Sequence, residues 1–344
     1  MAPRKVTQDE LAGAARAALG GGRRLERVER LAGGTSKGVY RLIMDDAMTA
    51  IAYLWEDSEN YWPATAWDGD PADPFSSGGG LHYFEAARTR LAAAGLRVPA
   101  LYLADHDRAY YLADLAIVED FPHDLEELLA YDRLAARPAV DRLCGALDTM
   151  RGYRAPSFGR VAQIDGGGRS RAMSGEAAAL EFALRCLAEA SARDARVAAV
   201  RDELDDKLHA LAQAVQPRAE HSIVHGELDL GHVMVDRDGW PVLIDIENLM
   251  YFDVEWEHAF LRLRLHPDYQ LVAGDGLDED RLALYMLTQR LSLTAGPLRI
   301  LDSDYPDRDF MLEIADHNAN EALRWLGSSR PSTLTGCCAK QCWA

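Results

Sequence analysis

Ser222-Ile-Val-His-Gly-Glu-Leu-Asp-Leu-Gly-His-Val-Met-Val-Asp236, followed by Trp240-Pro-Val-Leu-Ile-Asp-Ile-Glu247, decides how this chain is read. Ile223-Val224 and Val233-Met-Val235 are short, largely β-branched apolar runs around a loop that contains Gly226 and Gly231, so strand, tight polar loop and strand are expected in turn. Asp238-Gly239 supplies a turn into Pro241-Val-Leu-Ile244, and Asp245 and Glu247 emerge where that apolar run ends. Residues two apart on a strand point to the same side. Both carboxylates are therefore expected to face one cation, with His232 and Glu227 approaching it from the loop.

Taken together, these residues resemble the catalytic and metal-binding loops of the aminoglycoside phosphotransferase family, within the larger protein-kinase-like group. That family usually writes His-Gly-Asp-x-x-x-x-Asn, then a hydrophobic strand and Ile-Asp. Here the same register reads His225-Gly226-Glu227-Leu228-Asp229-Leu230-Gly231-His232, then Leu243-Ile-Asp-Ile-Glu247. Glu227 stands where the family has its catalytic Asp, and His232 where it has its metal-binding Asn.

Transfer of a phosphoryl group needs in-line positioning, charge neutralisation and an acceptor for the attacking hydroxyl's proton. The resemblance implies that Asp245, with Glu247 beside it, holds the Mg²⁺ that bridges the nucleotide phosphates. It also implies that Glu227 accepts the substrate's proton, with Asp229 the rival base and His225 part of the same catalytic loop. Oxygen ligands suit Mg²⁺ better than imidazole, so His232 is either a ligand, a phosphate contact or a loop strut. Downstream, Met250-Tyr-Phe-Asp-Val-Glu-Trp-Glu257 is similar to the family's continuation, in which two acids brace the loops and open a helix; Asp253 and Glu257 take those positions.

Upstream, Arg30-Leu-Ala-Gly-Gly-Thr-Ser-Lys-Gly-Val-Tyr-Arg-Leu42 places apolar flanks around a Gly-rich turn, the pattern of a hairpin whose backbone N–H groups cover phosphates. It is not a Walker loop, because Val39-Tyr40 follow where Lys-Ser/Thr is required. Gly33, Gly34, Thr35, Ser36, Lys37 and Gly38 are the candidate nucleotide-binding residues. In kinase-like folds a Lys on the third strand grips the phosphates and pairs with a helix Glu. Here that strand reads Thr49-Ala-Ile-Ala-Tyr-Leu-Trp55 and has no Lys. Lys37 is the nearest cationic substitute, or else a solvated turn lysine, and Glu85 sits where the helix Glu would fall. By the same resemblance the adenine-binding hinge lies at Val118 to Phe121, including Glu119.

The 344 residues suffice for two lobes with a sizeable core in each. The implied fold is α+β and two-lobed, protein-kinase-like: an N-terminal helix at 1–23, an antiparallel-sheet nucleotide lobe at 24–121, a mainly helical lobe at 122–330 carrying the catalytic and metal-binding loops, and a disordered tail at 331–344 that holds Cys337, Cys338 and Cys342. Thr7-Gln-Asp-Glu10 reads as a capping box, and Gly20-Gly-Gly22 ends the helix it opens. Cys144 and Cys186 read as helix core residues. Helices are expected at Ser174 to Ala190, Asp194 to Val215, Asp278 to Thr294, the last closed by Gly296-Pro297, and Asp307 to Leu326. Residues 57–80, with aromatics and glycines, read as a mobile flap over the nucleotide or acceptor, or else as a plain surface loop. Glu313, Asp316 and Glu321 are candidate contacts for a cationic acceptor, or else simply the acids of an exposed helix face.

With 55 acidic against 37 basic residues, the formal charge of −18 argues against nucleic-acid binding and fits a cationic acceptor. No apolar run suggests a membrane span or secretory signal, so a cytoplasmic monomer or dimer is expected. The reading is an ATP- or GTP-dependent phosphotransferase acting on a hydroxyl of a small molecule, such as a cationic antibiotic or natural product. Two alternatives stand beside it: a kinase of peptide Ser/Thr in natural-product biosynthesis, and a pseudokinase-type binding protein.

Overall fold

The computed structural model describes residues 6–32, 34–65, 68–76 and 79–327. Gly33 and the cysteine-bearing tail therefore lie outside the described residues. The chain divides into two compact units, one of Met1–Trp62, Gly78–Ala139 and Gly231–Glu247, the other of Pro63–Ser77, Val140–Leu230 and Asn248–Ala344.

The first unit is built on an antiparallel sheet of β1 (Leu25–Arg30), β2 (Gly38–Met44), β3 (Thr49–Trp55), β4 (Leu101–Asp105) and β5 (Asp114–Glu119), in the order β1-β2-β3-β5-β4. Strand β2 alternates in burial, with Tyr40, Leu42 and Met44 inward, as a half-covered strand should. Strand β3 is buried along its length from Ala50 to Leu54, because both faces are covered. On one side lies α1 (Gln8–Leu19), whose Leu11, Ala14, Ala15 and Leu19 join Leu42, Met44, Leu54 and Leu115 in one core. On the other, Phe84 of α2 (Leu81–Ala93) meets Tyr53 edge-on at 5.7 Å. At the start of α1, Glu10 accepts the backbone N–H of Thr7 at 2.8 Å, and the helix stops at Gly20 with φ 98°, as the capping-box and glycine signals indicate.

A small second sheet in this unit joins His123–Asp124, Val233–Val235 and Pro241–Leu243. Residues 231–247, expected within the helical lobe, thus group with the sheet unit instead. Backbone hydrogen bonding is the reason: Val235 pairs with His123, and Leu243 donates its N–H to the Arg97 carbonyl at 3.2 Å.

The second unit is mainly helical. Helices Gly175–Arg193, Arg201–Ala214, Val254–Arg264, Glu279–Ile300 and Arg308–Arg324 contribute to a core that contains Leu204, Leu208, Trp256, Leu284, Leu287, Leu291 and Ala319. A short sheet of Gly159–Arg160, Met250–Phe252 and Ser222–Val224 leads from its last strand into the His225-Gly226-Glu227 loop. Two helix boundaries differ from expectation. The segment from Asp194 to Val215 is broken at Val200 into Ala195–Ala199 and Arg201–Ala214, with Asp194 capping the first by accepting the Arg196 N–H at 2.8 Å. Helix Glu279–Ile300 runs straight through Gly296-Pro297, which were expected to close it. Ala295, Gly296, Pro297 and Ile300 are all buried, so tertiary packing overrides the proline's missing donor, whose intrinsic cost is about 3 kcal/mol.

The expected flap is anchored over much of its length. Phe75 stacks on Phe182 at 4.8 Å and lies 4.6 Å from Trp256, Arg185 grips Asp73 at 2.6 Å, and Arg171 donates its N–H to the Ala72 carbonyl at 2.8 Å. Arg160, itself buried, donates to the carbonyl of Ser76. Residues 70–76 are part of the second unit's framework, not a loose cover. Cys186 is buried as expected, and Cys144 is half-buried, donating to the Leu271 carbonyl at 3.2 Å. No helix among the described residues is long and apolar enough to cross a membrane.

Candidate active site

The first unit brings together Lys37, Tyr53, Asp245 and Glu247, which lie far apart in sequence. The Gly-rich turn joins β1 to β2, and a Cβ on Gly34 would stand 2.5 Å from the Lys37 carbonyl oxygen, so only glycine permits this tight close. Lys37 precedes the first residue of β2, and its side chain is turned inward, 7% exposed. Its Nζ donates to Asp245 Oδ1 at 2.6 Å and to Glu247 Oε1 at 2.5 Å, and lies 5.0 Å from the centre of the Tyr53 ring. Burial lowers the ammonium's proton affinity, but the two carboxylates outweigh it and hold Lys37 above the ordinary lysine range. Lys37 is thus a buried ion-pair centre, not a solvated turn residue.

Asp245 and Glu247 converge as expected, but by a different route. The strand ends at Leu243, Asp245 takes a left-handed backbone with φ 55°, and Glu247 lies in the 3₁₀ turn Ile246–Asn248. An Asp tolerates that conformation better than most residues, and the turn swings the Glu247 carboxylate back to the same cation. Burial pushes Glu247 up; Lys37 opposes this and Asp245 reinforces it. Its Oε2 is buried with no hydrogen-bond partner. His232 Nε2 stands 3.6 Å from Asp245 Oδ2, close enough for an ion pair yet beyond hydrogen-bond reach.

The other nucleotide candidates divide. Thr35 ties the loop down, accepting the Trp62 indole N–H on Oγ1 at 3.1 Å and the Tyr61 N–H on its carbonyl at 2.9 Å. Ser36 is exposed, and Gly38 begins β2. Glu85 is not at the lysine: it pairs with His106 at 2.7 Å on a solvated face. In the segment expected to be the hinge, Val118 is fully buried in β5, Glu119 donates its N–H to the Ala100 carbonyl at 2.9 Å and binds Arg97 through its side chain, and the Phe121 N–H is held by Asp120 Oδ1 at 2.9 Å.

In the second unit the loop after Ser222–Val224 is clamped from below. His225 is fully buried and Gly226 has φ 95°, where a Cβ would stand 3.1 Å from the Asn248 carbonyl oxygen. One oxygen of Glu257 accepts the N–H of His225 and, at 3.4 Å, that of Gly226. Burial raises the Glu257 carboxyl to about 7 even though these donors oppose it. Asp253 is ion-paired with Arg281 and accepts the Tyr285 hydroxyl, so it is a buried anchor rather than a simple helix-end acid. The rival bases are separated by their surroundings. Asp229 is buried and gripped by Arg264, whereas Glu227 is exposed at the loop's surface. Arg264 was not found from the sequence, because nothing local links it to a residue 35 positions earlier.

These observations set a Gly-rich hairpin, a buried cation between two carboxylates and a clamped His-Gly-Glu loop in one chain. The profile of the phosphotransferase enzyme family matches residues 27–288. The chain belongs to this family. No curated protein matches the phosphotransferase by sequence. Solved structures share its fold: a thermostable mutant of aminoglycoside phosphotransferase APH(4)-Ia has a TM-score of 0.59 at 15% identity, over 92% of this chain and 99% of that one. Choline kinase LicA from Streptococcus pneumoniae gives 0.58 at 15% identity, over 93% and 98%. A fructosamine-3-kinase homologue from Thermobifida fusca gives 0.50 at 19%, over 93% and 100%. The phosphotransferase therefore has the α+β, protein-kinase-like fold, with an antiparallel-sheet unit and a mainly helical one.

The residues present fit a hard divalent cation held jointly with phosphate oxygens. Among the described residues no cluster of three or more His, Cys, Asp or Glu is arranged to hold a metal ion unaided. Mg²⁺ is commonly held by only one or two carboxylates plus substrate phosphates, and the buried, unpartnered Glu247 Oε2 beside Asp245 is such a donor. The helix acids expected to meet a cationic acceptor are mostly engaged: Asp316 pairs with Arg196 at 2.7 Å and Glu321 with Arg324, while Glu313 is exposed.

Proposed function

We propose that this phosphotransferase moves the γ-phosphate of ATP or GTP to a hydroxyl of a small molecule, and that the acceptor carries positive charge. The carboxylate pair of half-exposed Asp245 and buried Glu247, drawn to one point at Lys37 of the Gly-rich hairpin, carries this reading. Mg²⁺, when bound, would neutralise charge on the phosphates. In this reading Asp245 and Glu247 hold it, the hairpin N–H groups from Gly34 to Gly38 cover the phosphates, and the backbone from Val118 to Phe121 receives the base.

Glu227 accepts the acceptor hydroxyl's proton. It is exposed while Asp229 is buried in an ion pair with Arg264, and a base must reach its substrate. Glu257 keeps the loop in place by holding the N–H groups of His225 and Gly226. A cationic acceptor is favoured by the chain's formal charge of −18.

The test is thermal. Mg²⁺·ATP or Mg²⁺·GTP raises the melting temperature of the wild type, and Asp245→Ala abolishes that shift. A screen of hydroxylated cationic small molecules and Ser/Thr peptides, read as nucleotide consumption, then identifies the acceptor. No shift with either nucleotide refutes the phosphotransfer reading; a shift without consumption on any acceptor replaces it with a binding role.

A further inference from the structure

Strand β3 lacks the cation that phosphate transfer calls for, yet a buried cation stands beside it. Val39 pairs with Tyr53 across the β2–β3 ladder, and Lys37 lies two residues before Val39, immediately ahead of β2. Lys37 extends from the hairpin until its ammonium is 5.0 Å from the Tyr53 ring centre. At that point it touches both carboxylates of the candidate metal site. A lysine at position 53 would have its stem where the Tyr53 ring now lies, and its ammonium would face the same carboxylates.

We infer that Lys37, delivered from the Gly-rich hairpin, is the phosphate-gripping lysine of this enzyme, and that Tyr53 serves as the surface along which its side chain is held. Three observations on the structure support this. Lys37 is almost wholly buried, which a turn lysine is not unless it is paired. Its partners are the two acids that the metal site requires, so its charge stands where nucleotide phosphates and their cation would meet. Glu85, the helix acid that usually orients a strand lysine, is spent on His106, consistent with an orientation supplied by Asp245, Glu247 and Tyr53 instead.

The inference rests on the nucleotide-binding reading above, and the experiment separates the two. Affinities for Mg²⁺·ATP and for AMP are measured calorimetrically on the full chain for wild type, Lys37→Met and the double variant Lys37→Met with Tyr53→Lys. The melting temperature of each without nucleotide serves as the fold control. Lys37→Met is expected to weaken ATP by about tenfold or more, the loss of a charge-assisted contact, and AMP much less. The double variant returns a cation beside the same carboxylates and is expected to recover most of the ATP affinity. It also covers the case in which Lys37→Met, with the buried Glu247 left without its cation, fails to fold.

If the wild type binds neither nucleotide, the underlying reading fails. If the wild type binds ATP, three results overturn the role of Lys37: undiminished ATP affinity in Lys37→Met, equal losses for ATP and AMP, or a folded double variant that does not recover.

Discussion

Glu257→Gln is the substitution whose outcome the structure constrains most tightly. The Glu257 side chain is buried, one oxygen accepts the backbone N–H groups of His225 and Gly226, and the other, Oε1, is buried without a partner. Burial, opposed by the donors of His225, Gly226 and Leu228, moves its carboxyl from 4.5 to about 7. The folded-state value lies above the unfolded one, so this group's contribution to stability is fully present below pH 4.5 and is lost as pH rises through about 7. At about 1.4 kcal/mol for each tenfold step, that span amounts to about 3 kcal/mol.

His258, the next residue, runs the other way. Burial, then the charges of Arg151 and Arg262, pulls its imidazole from 6.5 down to about 4. Its contribution is present above 6.5 and lost as pH falls through about 4. Between pH 4.5 and 6.5 the two slopes oppose each other, and this pair leaves the wild type nearly flat. Glutamine keeps an acceptor oxygen for the same N–H groups but cannot ionise, so in the variant the His258 slope stands alone. Urea unfolding followed by tryptophan fluorescence across this range reads the result. The stability difference between variant and wild type should move by about 3 kcal/mol in the variant's favour from about pH 4.5 to about pH 8. A difference that stays constant across that range refutes the assignment of a raised value to Glu257.

The two candidate bases should part company. Asp229→Asn removes the anion of a largely buried ion pair with Arg264 and is expected to cost about 3 kcal/mol in unfolding free energy. Glu227→Gln at an exposed position is expected to stay within about 0.5 kcal/mol of wild type while lowering turnover by about 100-fold, with nucleotide affinity kept; the reverse pattern would make Asp229 the base. Phe75→Ala tests the anchoring of residues 70–76: loss of a ring packed among Phe182, Phe252 and Trp256 should cost about 3 kcal/mol, whereas an unchanged melting temperature would restore the mobile-flap reading.

What could be read from the sequence was local. The bounds of β3 follow from an apolar run that is buried on both faces, and α1 follows from its cap and its terminal glycine. The convergence of Asp245 and Glu247 was expected from spacing alone, although spacing gave the wrong vehicle: a left-handed Asp and a 3₁₀ turn, not two same-sided strand residues. Pro297 was misjudged because its local cost is real and its compensation is tertiary. The same division runs through the site. His225-Gly226-Glu227 is a contiguous motif, but what distinguishes Glu227 from Asp229 is Arg264, a residue no local pattern connects to them.

Lys37 shows why a missing motif residue is weak evidence for lost function. The absence of Lys from β3 describes one strand; the requirement it serves is a positive charge at one point in space. In an antiparallel sheet, side chains on neighbouring strands lie within reach of one another, so a long side chain from the hairpin can meet that requirement as well as one from β3. The two arrangements leave different traces. A lysine on β3 needs a helix carboxylate to turn it inward, whereas Lys37 is already held between Asp245 and Glu247 and leaves Glu85 to an exposed histidine. The Glu85–His106 pair and the buried Lys37 are both what the role proposed for Lys37 calls for, and a protein that merely lacked a β3 lysine would be expected to show the first without the second.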